Sequence, residues 1–501
     1  MPTIRERFSA WRNQSPHAAT IDTAKAAPPP SPLAPVDLTD YNQVAGVMDL
    51  AARIGDILLS SGTSNSDTKA QMHAVTSAYG LWWCHVDITM NNITVSTQIG
   101  TTRKSPVTVF RVVRTLTTDF SRLSAVDRLI RSIQAGATPP EIAERILDDI
   151  EAQPTAYGPM TSIFGWGLMG GAVSVLLGGT ALVAAISFVA SISIMAMSLF
   201  LSKHHLPVFF QNVIGGIIAT IPAALSYAAA AEYGVELRPS QIVASGIIVM
   251  LAGLTLVQSL QDGITGAPVT ASAHFFETLL YTGAIVAGVA IGLQLSSYVG
   301  IALPPMESVA APNPAPASVR VLAGTVASVG FAIACYAEWS AVILSGITAM
   351  TGSIFYYFIF SPLGMSTVMA GSMAAVVIGF AGGLLARRFQ VPPLIIAIAG
   401  ITPLLPGLAV YRGMYAALNE QMLVGFTNIA TALAISCGLA AGVVLGEWIA
   451  RRVRRPQRFN PYRGFRVAGR ATLQSGQTRE QARRRGYRRR QGGVDKQEPD
   501  A

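Results

Sequence analysis

Three ionisable residues lie in a stretch of the chain that is otherwise apolar. Asp262, His274 and Glu277 fall between Leu251 and Gly292, among Ala, Leu, Val and Gly residues. An acidic side chain at the centre of a membrane helix costs about 2.5 to 3.5 kcal/mol on insertion scales, so it is a candidate for a functional site. A structural interpretation stays open, because Asp262 could belong to an interfacial loop and Glu277 could reach the membrane surface.

The spacing of the polar residues indicates one helical face. Thr270, His274 and Glu277 are four and three positions apart, which stacks them on the same side of an α-helix. Gln258 precedes Asp262 by one helical turn and belongs to the same candidate set.

A second unusual stretch is TPLLPG, residues 402–407. Pro403 and Pro406 remove two amide donors, so Thr402 and its neighbours cannot continue a regular helix. At membrane depth, carbonyl groups freed in this way are tolerated only against protein or a water-filled cavity. A binding site and a packed kink both remain open at this point.

The sequence around the first stretch recurs in the second half of the chain. The matched segments are 251–255 with 398–402, 261–263 with 411–413, and 287–292 with 441–446. They occur in the same order, and their offset changes only from 147 to 154 positions. Such self-similarity indicates an internal repeat.

Composition and segment lengths predict an α-helical polytopic membrane protein. Hydrophobic residues make up 51% of the chain and charged residues 13%, against roughly 25% charged in soluble domains. Ten segments are long and apolar enough to cross about 30 Å of hydrocarbon: 160–178, 181–201, 207–231, 241–260, 272–295, 319–337, 340–360, 364–386, 391–410 and 424–449. Because five is an odd number, two five-helix halves would enter the membrane from opposite sides, as inverted repeats.

The remaining composition divides the chain into further parts. Residues 1–35 are predicted to be a disordered head with a Pro-rich linker. Residues 36–157 are predicted to form a soluble α/β domain of two helices, three strands (81–90, 93–99 and 107–113) and two helices. The two transmembrane repeats then cover 158–300 and 319–450, separated by an external loop at 301–318 and followed by an Arg-rich tail at 451–501.

The basic residues predict the orientation. Lys203, Arg387, Arg388 and the tail fall on one side of the ten predicted spans, which places both termini in the cytoplasm. The tail holds 16 basic residues against 4 acidic ones, and we expect it to be solvated and to bind anionic lipid. Nucleic-acid binding is not predicted, because no folded motif accompanies the charge.

The soluble domain offers little sign of catalysis. Cys84 and His85, with His73 and Asp87 nearby, suggest a thiol nucleophile, but neighbours in a strand point to opposite faces. G-x-S-x-G, H-E-x-x-H, P-loop and C-x-x-C motifs are absent from the sequence. We therefore predict a regulatory or gating domain, no enzymatic activity, and neither a metal nor a cofactor.

Several motifs resemble the bacterial threonine/serine exporter family, especially its single-chain form. The resemblance extends from about residue 26 to about residue 461, but not to either end of the chain. It is carried by IGDILLSSGTSNSDTK (54–69), RLIRSIQAGATPP (128–140), SLQDGITGAPVTASAHFFETLL (259–280), CYAEWS (335–340), GITPLLPGLAVYRGMY (400–415) and GEWIARR (446–452). The resemblance implies export of L-threonine, and less of L-serine, across the cytoplasmic membrane, driven by the proton motive force.

No residue roles come with the resemblance, so the following ones are inferred from the residues. We expect Glu277, beside His274, to couple proton entry to substrate exit, with Asp262 at the cytoplasmic mouth. The carbonyl groups freed near Pro403 and Pro406 would bind the ammonium group.

The other groups of the amino acid need partners as well. Thr402 or Asn428 would bind the hydroxyl group, and Arg412 would guide the carboxylate at the outer mouth. A passive channel, a membrane-tethered hydrolase and a scaffold or receptor are the alternatives, and the oligomeric state stays open.

Overall fold

The fold is described from a computed structural model. It describes residues 36–453, apart from 100–104, 114–118, 137, 235–236, 251, 302, 304–314 and 419. The predicted head and Pro-rich linker, most of the predicted external loop, and the Arg-rich tail beyond residue 453 lie outside the described residues.

Residues 41–152 form helices and a small sheet in the order predicted for this region. The helices are α1 (Tyr41–Ser60), α2 (Asn65–Ala78), α3 (Phe120–Gln134) and α4 (Pro140–Ala152), and the strands are β1 (His85–Thr89), β2 (Asn92–Ile99) and β3 (Ser105–Val112). The sheet is antiparallel with β2 in the centre. The first strand starts four residues later than predicted, because Trp82 and Trp83 form a turn.

Alternation along the strands determines how this region packs. Val86, Ile88, Ile93, Val95 and Val107 are buried to at least 96%, whereas the residues between them are exposed or partly exposed. Side chains of successive strand residues point to opposite faces, so the buried face lies on α1, which contacts both β2 and β3. The other face of the sheet is more exposed and more polar.

The membrane part follows from residue 159. Its helices are α5 (Pro159–Leu176), α6 (Ala181–Lys203), α7 (Val208–Glu232), α8 (Pro239–Val249), α9 (Ala252–Ile264), α10 (Pro268–Tyr298), α11 (Ala317–Ala334), α12 (Trp339–Ile354), α13 (Thr367–Phe389), α14 (Pro393–Ile401), α15 (Gly407–Leu418) and α16 (Met422–Val453). In the part of the chain that is described, 8 helices are long and apolar enough to cross a membrane, or 10 spans if each of two bent helix pairs crosses once. The chain is therefore a polytopic α-helical membrane protein.

Each bent pair lies where the sequence predicted a single span, at 241–260 and at 391–410. Helices α8 and α9 meet at 44°, and α14, with its 3₁₀ turn Thr402–Leu404, meets α15 at 50°. The second break confirms the prediction made from Pro403 and Pro406, whose missing amide groups interrupt the helical hydrogen bonds. The first break, inside predicted span 241–260, was not predicted, because that segment contains no proline.

Small residues let the membrane helices approach closely. A Cβ atom added at Gly216 of α7 would lie 2.6 Å from the carbonyl oxygen of Ile285 in α10, and one added at Gly442 of α16 would lie 2.5 Å from that of Ser372 in α13. Glycine at such positions lets backbones come into contact and is typical of helix pairs in membranes.

The N-terminal region packs directly on the membrane helices. The amide of Phe120 donates a 2.9 Å hydrogen bond to the carbonyl oxygen of Cys335, and the Phe120 ring meets that of Phe331 edge-on at 6.2 Å. The hydroxyl group of Tyr157 donates to the carbonyl oxygen of Ala337. The two Phe120 contacts hold the start of α3 against the end of α11, and the Tyr157 bond adds a contact just beyond that end.

Candidate functional site

Asp262 lies in the last turn of α9, where the N-terminal region covers it. It is 7% exposed, and its Oδ1 atom accepts a 3.3 Å hydrogen bond from the backbone amide of Asn65. Asn65 is the first residue of α2, and the N-terminus of a helix carries a partial positive charge that favours a nearby carboxylate. The fold therefore gives Asp262 a specific partner from another part of the chain.

Thr270 in the first turn of α10 extends this contact. Its hydroxyl oxygen accepts a 2.7 Å hydrogen bond from Nδ2 of Asn65 and a 3.1 Å bond from the amide of Met90. Met90 belongs to the two-residue turn between β1 and β2 and has φ = 53°. One buried threonine thus joins α10 to both a helix and a hairpin of the N-terminal region.

Gln258 belongs to the same place in the fold. A Cβ atom added at Gly62 would lie 3.1 Å from Nε2 of Gln258, and Gly62 has φ = +85°. This left-handed conformation favours glycine, and a larger residue at this position would press on Gln258. The loop between α1 and α2 therefore lies against both predicted residues of α9.

His274 and Glu277 form a pair one to two turns farther along α10. His274 Nδ1 and Glu277 Oε2 are 3.2 Å apart, with side-chain exposures of 25% and 43%. Glu277 is thus half-exposed at the flank of α10, and Phe276 beside it is 66% exposed. The pair lies beyond the contacts made by the N-terminal region.

Hydroxyl groups connect this part of α10 to α9. Thr278 Oγ1 donates to the carbonyl oxygen of His274 at 2.8 Å and lies 3.0 Å from Thr255 Oγ1. Ser259 Oγ donates to the carbonyl oxygen of Ala271 at 2.7 Å. The two helices are therefore linked along the face that carries the candidate residues.

The candidate residues of the second half lie in two separate places. Thr402 is 2% exposed and donates to the carbonyl oxygen of Ile398 at 3.1 Å, and with Pro403 and Pro406 it forms the break between α14 and α15. That break contacts α11 and α12. Among the described hydrogen bonds and ion pairs, none joins these three residues to Asp262 or Glu277, although Val257 of α9 shares an apolar cluster with Ile401.

Arg412 and Asn428 lie on the α15–α16 pair. The Asn428 side-chain amide donates to the carbonyl oxygen of Val424, in its own helix, at 2.9 Å, and Arg412 is partly buried in α15. Helix α15 contacts α10, and α16 contacts α9. The two halves of the membrane part therefore meet along these four helices.

Sequence reasoning missed the residues that join the N-terminal region to the membrane helices. Asn65 stands in a polar helix start with no local sign of a distant partner. Arg128 and Glu338 form a two-pronged ion pair, with N···O distances of 2.9 and 3.1 Å. Their separation of 210 positions hides this pairing, although both belong to motifs noted in the sequence.

Cys84 is a buried thiol with no sign of activation. It is 4% exposed, and burial raises its pKa to about 11. His85 points to the exposed face instead, as the strand geometry predicts. Among residues 36–453, within the described ranges, no group of three or more His, Cys, Asp or Glu side chains could hold a metal ion.

Comparison with known proteins identifies the family. A family model described as "Putative threonine/serine exporter" matches residues 49–296, and a second, "Threonine/Serine exporter, ThrE", matches residues 320–449. None of the solved structures matches the chain.

Two curated relatives cover most of the chain. The "Threonine/serine exporter" of Corynebacterium glutamicum is 64% identical over 467 residues, which is 93% of this chain and 95% of the relative. The "Probable threonine/serine exporter" of Mycobacterium tuberculosis is 36% identical over 414 residues, or 81% of this chain and 77% of the relative. The chain therefore belongs to the threonine/serine exporter family.

Proposed function

We propose that this chain is a secondary transporter that exports L-threonine and L-serine across the cytoplasmic membrane, driven by the proton motive force. The observation that carries the proposal is the 64% identity to a named threonine/serine exporter over 93% of the chain. The polytopic membrane fold supports it, since an exporter of a zwitterion needs a continuous protein-lined route through the bilayer. We also propose that the chain is not an enzyme.

The proposed architecture is a pair of inverted five-helix repeats. The second helix starts 22 positions after the first in both halves (Pro159 to Ala181, and Ala317 to Trp339), and the fourth helix of each half is a bent pair. In both halves the third helix packs along the fifth, and the two first helices pack against each other. Repeats of this kind enclose the substrate site of many secondary transporters, commonly at broken helices.

The orientation proposed for the chain has both termini in the cytoplasm. Arg387, Arg388, Arg451 and Arg452 end α13 and α16, and the predicted basic tail continues from α16. An excess of basic residues is typical of cytoplasmic loops. We expect the tail to bind anionic lipid headgroups, which attract basic segments near a membrane span.

The His274–Glu277 pair is proposed as the site of proton coupling. Its side chains are 3.2 Å apart and partly exposed, so neither is sealed inside the helix bundle. An ionisable pair within a membrane span is a typical element of a proton relay. Asp262 and Gln258 would then line the cytoplasmic entrance, and Arg412 and Asn428 the outer half.

We assign the N-terminal region the role of a cytoplasmic gate. Its contacts with Asp262 and Thr270 fall on the turn between α9 and α10, and its contacts with Cys335 and Glu338 fall on the turn between α11 and α12. It therefore covers a turn from each half on one side of the membrane. Opening that side would require these hydrogen bonds to break.

Counterflow in proteoliposomes tests the proposed function. We expect labelled threonine to accumulate against unlabelled threonine with saturation, and an imposed pH gradient to drive net transport that an uncoupler abolishes. A passive channel would show no counterflow. If neither threonine nor serine were transported, the proposal would be wrong.

A further inference from the structure

Arg320 is a cation inside the membrane part that the proposed pathway does not use. It lies in the first turn of α11, on the face that continues through Gly324, Ala327 and Phe331, which are all buried. The residues of α11 that face outward are different ones, such as Leu322 at 62% exposure. The side chain of Arg320 therefore points into the helix bundle rather than towards lipid.

Within the described part of the chain, Arg320 makes a contact with an aromatic ring. Its guanidinium carbon lies 4.6 Å from the centre of the Tyr357 ring, and Tyr356 meets Tyr357 edge-on at 4.8 Å. Both tyrosines belong to the π-helical segment Phe355–Phe360 that continues α12. A π-helical turn is uncommon and often occurs at functional sites.

One hydrogen-bond donor of Arg320 has no partner within the described part of the chain. Its Nε atom is buried and has no hydrogen-bond partner there, and no described acidic side chain forms an ion pair with it. A buried donor left without a partner is costly. The first turn of a helix also carries partial positive charge, which disfavours a cation and favours an anion.

The break between α14 and α15 lies next to Gly324, one helical turn after Arg320 along α11. A Cβ atom added at Gly324 would lie 3.1 Å from Ser353 Oγ and 3.3 Å from Pro403 Cβ. Gly324 follows Arg320 by one turn, and Ser353 precedes Tyr357 by one turn. The arginine and its aromatic ring therefore lie over the point where α11, α12 and the broken helix meet.

This arrangement matches the chemistry of an amino acid. A planar guanidinium group binds a carboxylate through two parallel hydrogen bonds. Pro406 cannot donate to the carbonyl oxygen of Thr402 as a helical residue would; that oxygen accepts a long 3.4 Å bond from the amide of Leu405 and keeps a lone pair that suits an ammonium group. The Ser353 hydroxyl group suits a substrate hydroxyl. The arginine, the carbonyl group and the serine hydroxyl group thus match the three functional groups of threonine.

We propose that Arg320, held over Tyr357, binds the α-carboxylate of the exported amino acid on the membrane side opposite the N-terminal region. That side is defined by the fold, because the other end of α11 contacts Phe120. The inference rests on the proposed function and names a binding residue that the predicted pathway had not included. Arg412, which was predicted for this role, lies on another helix.

The test compares threonine with threoninamide, which lacks the carboxylate. Right-side-out proteoliposomes are loaded with labelled threonine, and each compound is added outside as the counterflow substrate or competitor. In the unaltered protein we expect threonine to bind about 10- to 100-fold more tightly than threoninamide, as for a charge-assisted pair. In Arg320→Gln we expect the affinity for threonine to fall to that for threoninamide, and the affinity for threoninamide to stay unchanged.

Four further variants separate binding from folding. Arg320→Lys keeps the charge but loses the two-pronged geometry, so we expect an intermediate loss. Tyr357→Phe keeps the ring and should bind threonine normally, whereas Tyr357→Leu should resemble Arg320→Gln. Arg238→Gln is the matched control, since Arg238 is an exposed arginine at the same side of the membrane and should leave both affinities unchanged.

The outcomes distinguish this inference from the proposed function. Suppose that the unaltered protein exchanges threonine. If Arg320→Gln then weakens the binding of threonine and threoninamide equally, or weakens the binding of neither, the carboxylate assignment is wrong while the transport function stands. If Glu307→Gln, in the segment outside the described residues, reproduces the Arg320→Gln result, the partner of Arg320 is the protein's own carboxylate and the inference fails. If the unaltered protein does not exchange threonine, the proposed function itself fails.

Discussion

The backbone amide of Asn65 donates a hydrogen bond to the carboxylate of Asp262, across 197 positions of sequence. The same asparagine donates through Nδ2 to Thr270 on the next helix. A helix start in the N-terminal region therefore holds the end of α9 and the beginning of α10 together. Asp262 is 7% exposed where it makes this contact, so we expect a movement of the N-terminal region to expose it to solution.

Removing the Thr270 acceptor should loosen that contact. Thr270→Val deletes the oxygen that accepts from Asn65 and Met90. The buried Asn65 donor then loses its partner, at a cost of about 1 to 3 kcal/mol, and the partly buried Met90 amide adds less. We expect amide hydrogen exchange in residues 262–272 to accelerate at least about 10-fold. Ser272→Ala is the control, since Ser272 is exposed and bonds only within α10. Equal exchange in the two variants would argue against the gate.

The ion pair between Arg128 and Glu338 should stabilise the attachment of the N-terminal region less than the Thr270 hydrogen bonds do. The side chains are 54% and 35% exposed, and pairs at such exposure contribute about 0.2 to 1 kcal/mol. Arg128→Glu should therefore reduce the transport rate by a few-fold at most, and adding Glu338→Arg should restore it. Initial rates of threonine counterflow are measured for the two single variants and the double variant. Their comparison gives the interaction energy between Arg128 and Glu338. Failure of the double variant to recover would show that the pair does not act as a unit.

Proton coupling should depend on Glu277. Glu277→Gln keeps the size and contact with His274 but cannot exchange a proton, so threonine counterflow should persist while the pH gradient no longer drives net transport. Transport with and without an imposed gradient measures the difference. Glu420→Gln, at an exposed residue between α15 and α16, is the matched control. An unchanged gradient response in Glu277→Gln would remove this residue from the coupling mechanism.

Cys84 should be inert at neutral pH. Burial raises its pKa to about 11, from 9.0, so only about one thiol in a thousand is ionised at pH 8. Because the folded state holds this proton more tightly than the unfolded state, the stability contribution is complete below pH 9 and declines as pH rises towards 11.

Alkylation with iodoacetamide measures that reactivity. In a variant that carries Cys335→Ser and Cys437→Ser, labelling of Cys84 at pH 8 should be slower by about two orders of magnitude than in the denatured chain. Labelling at the denatured rate would contradict both the burial and the absence of a thiol nucleophile in this region.

The long apolar segments could be predicted from the sequence because their physical cause is local. About 20 apolar residues suffice to cross the bilayer, and Pro403 and Pro406 break a helix wherever they stand. The bend between α8 and α9 escaped prediction because no proline marks it. The contacts of Asn65 were not predicted for another reason. Its two partners lie in distant helices, and a polar residue at a helix start is usually explained by capping alone.

The exposure of Glu277 illustrates a related limit. Its place on α10 follows from helical periodicity, but its 43% exposure depends on which neighbouring helices cover that flank. Asn428 is similar, since its amide bonds within its own helix and periodicity alone does not reveal this. The carrier roles of both residues remain predictions.

The attachment of the N-terminal region to α10 and to α11 at the same time has a mechanical consequence. The N-terminal region contacts an element from each half of the membrane part. Under the proposed gating role, the halves can separate on that side only when one of these contacts breaks. Under this proposal, the contacts must be weak enough to break in every transport cycle. With the proposed orientation, a cytosolic molecule that bound the released form would keep the carrier open towards the cell interior, and one that stabilised the attached form would stop transport.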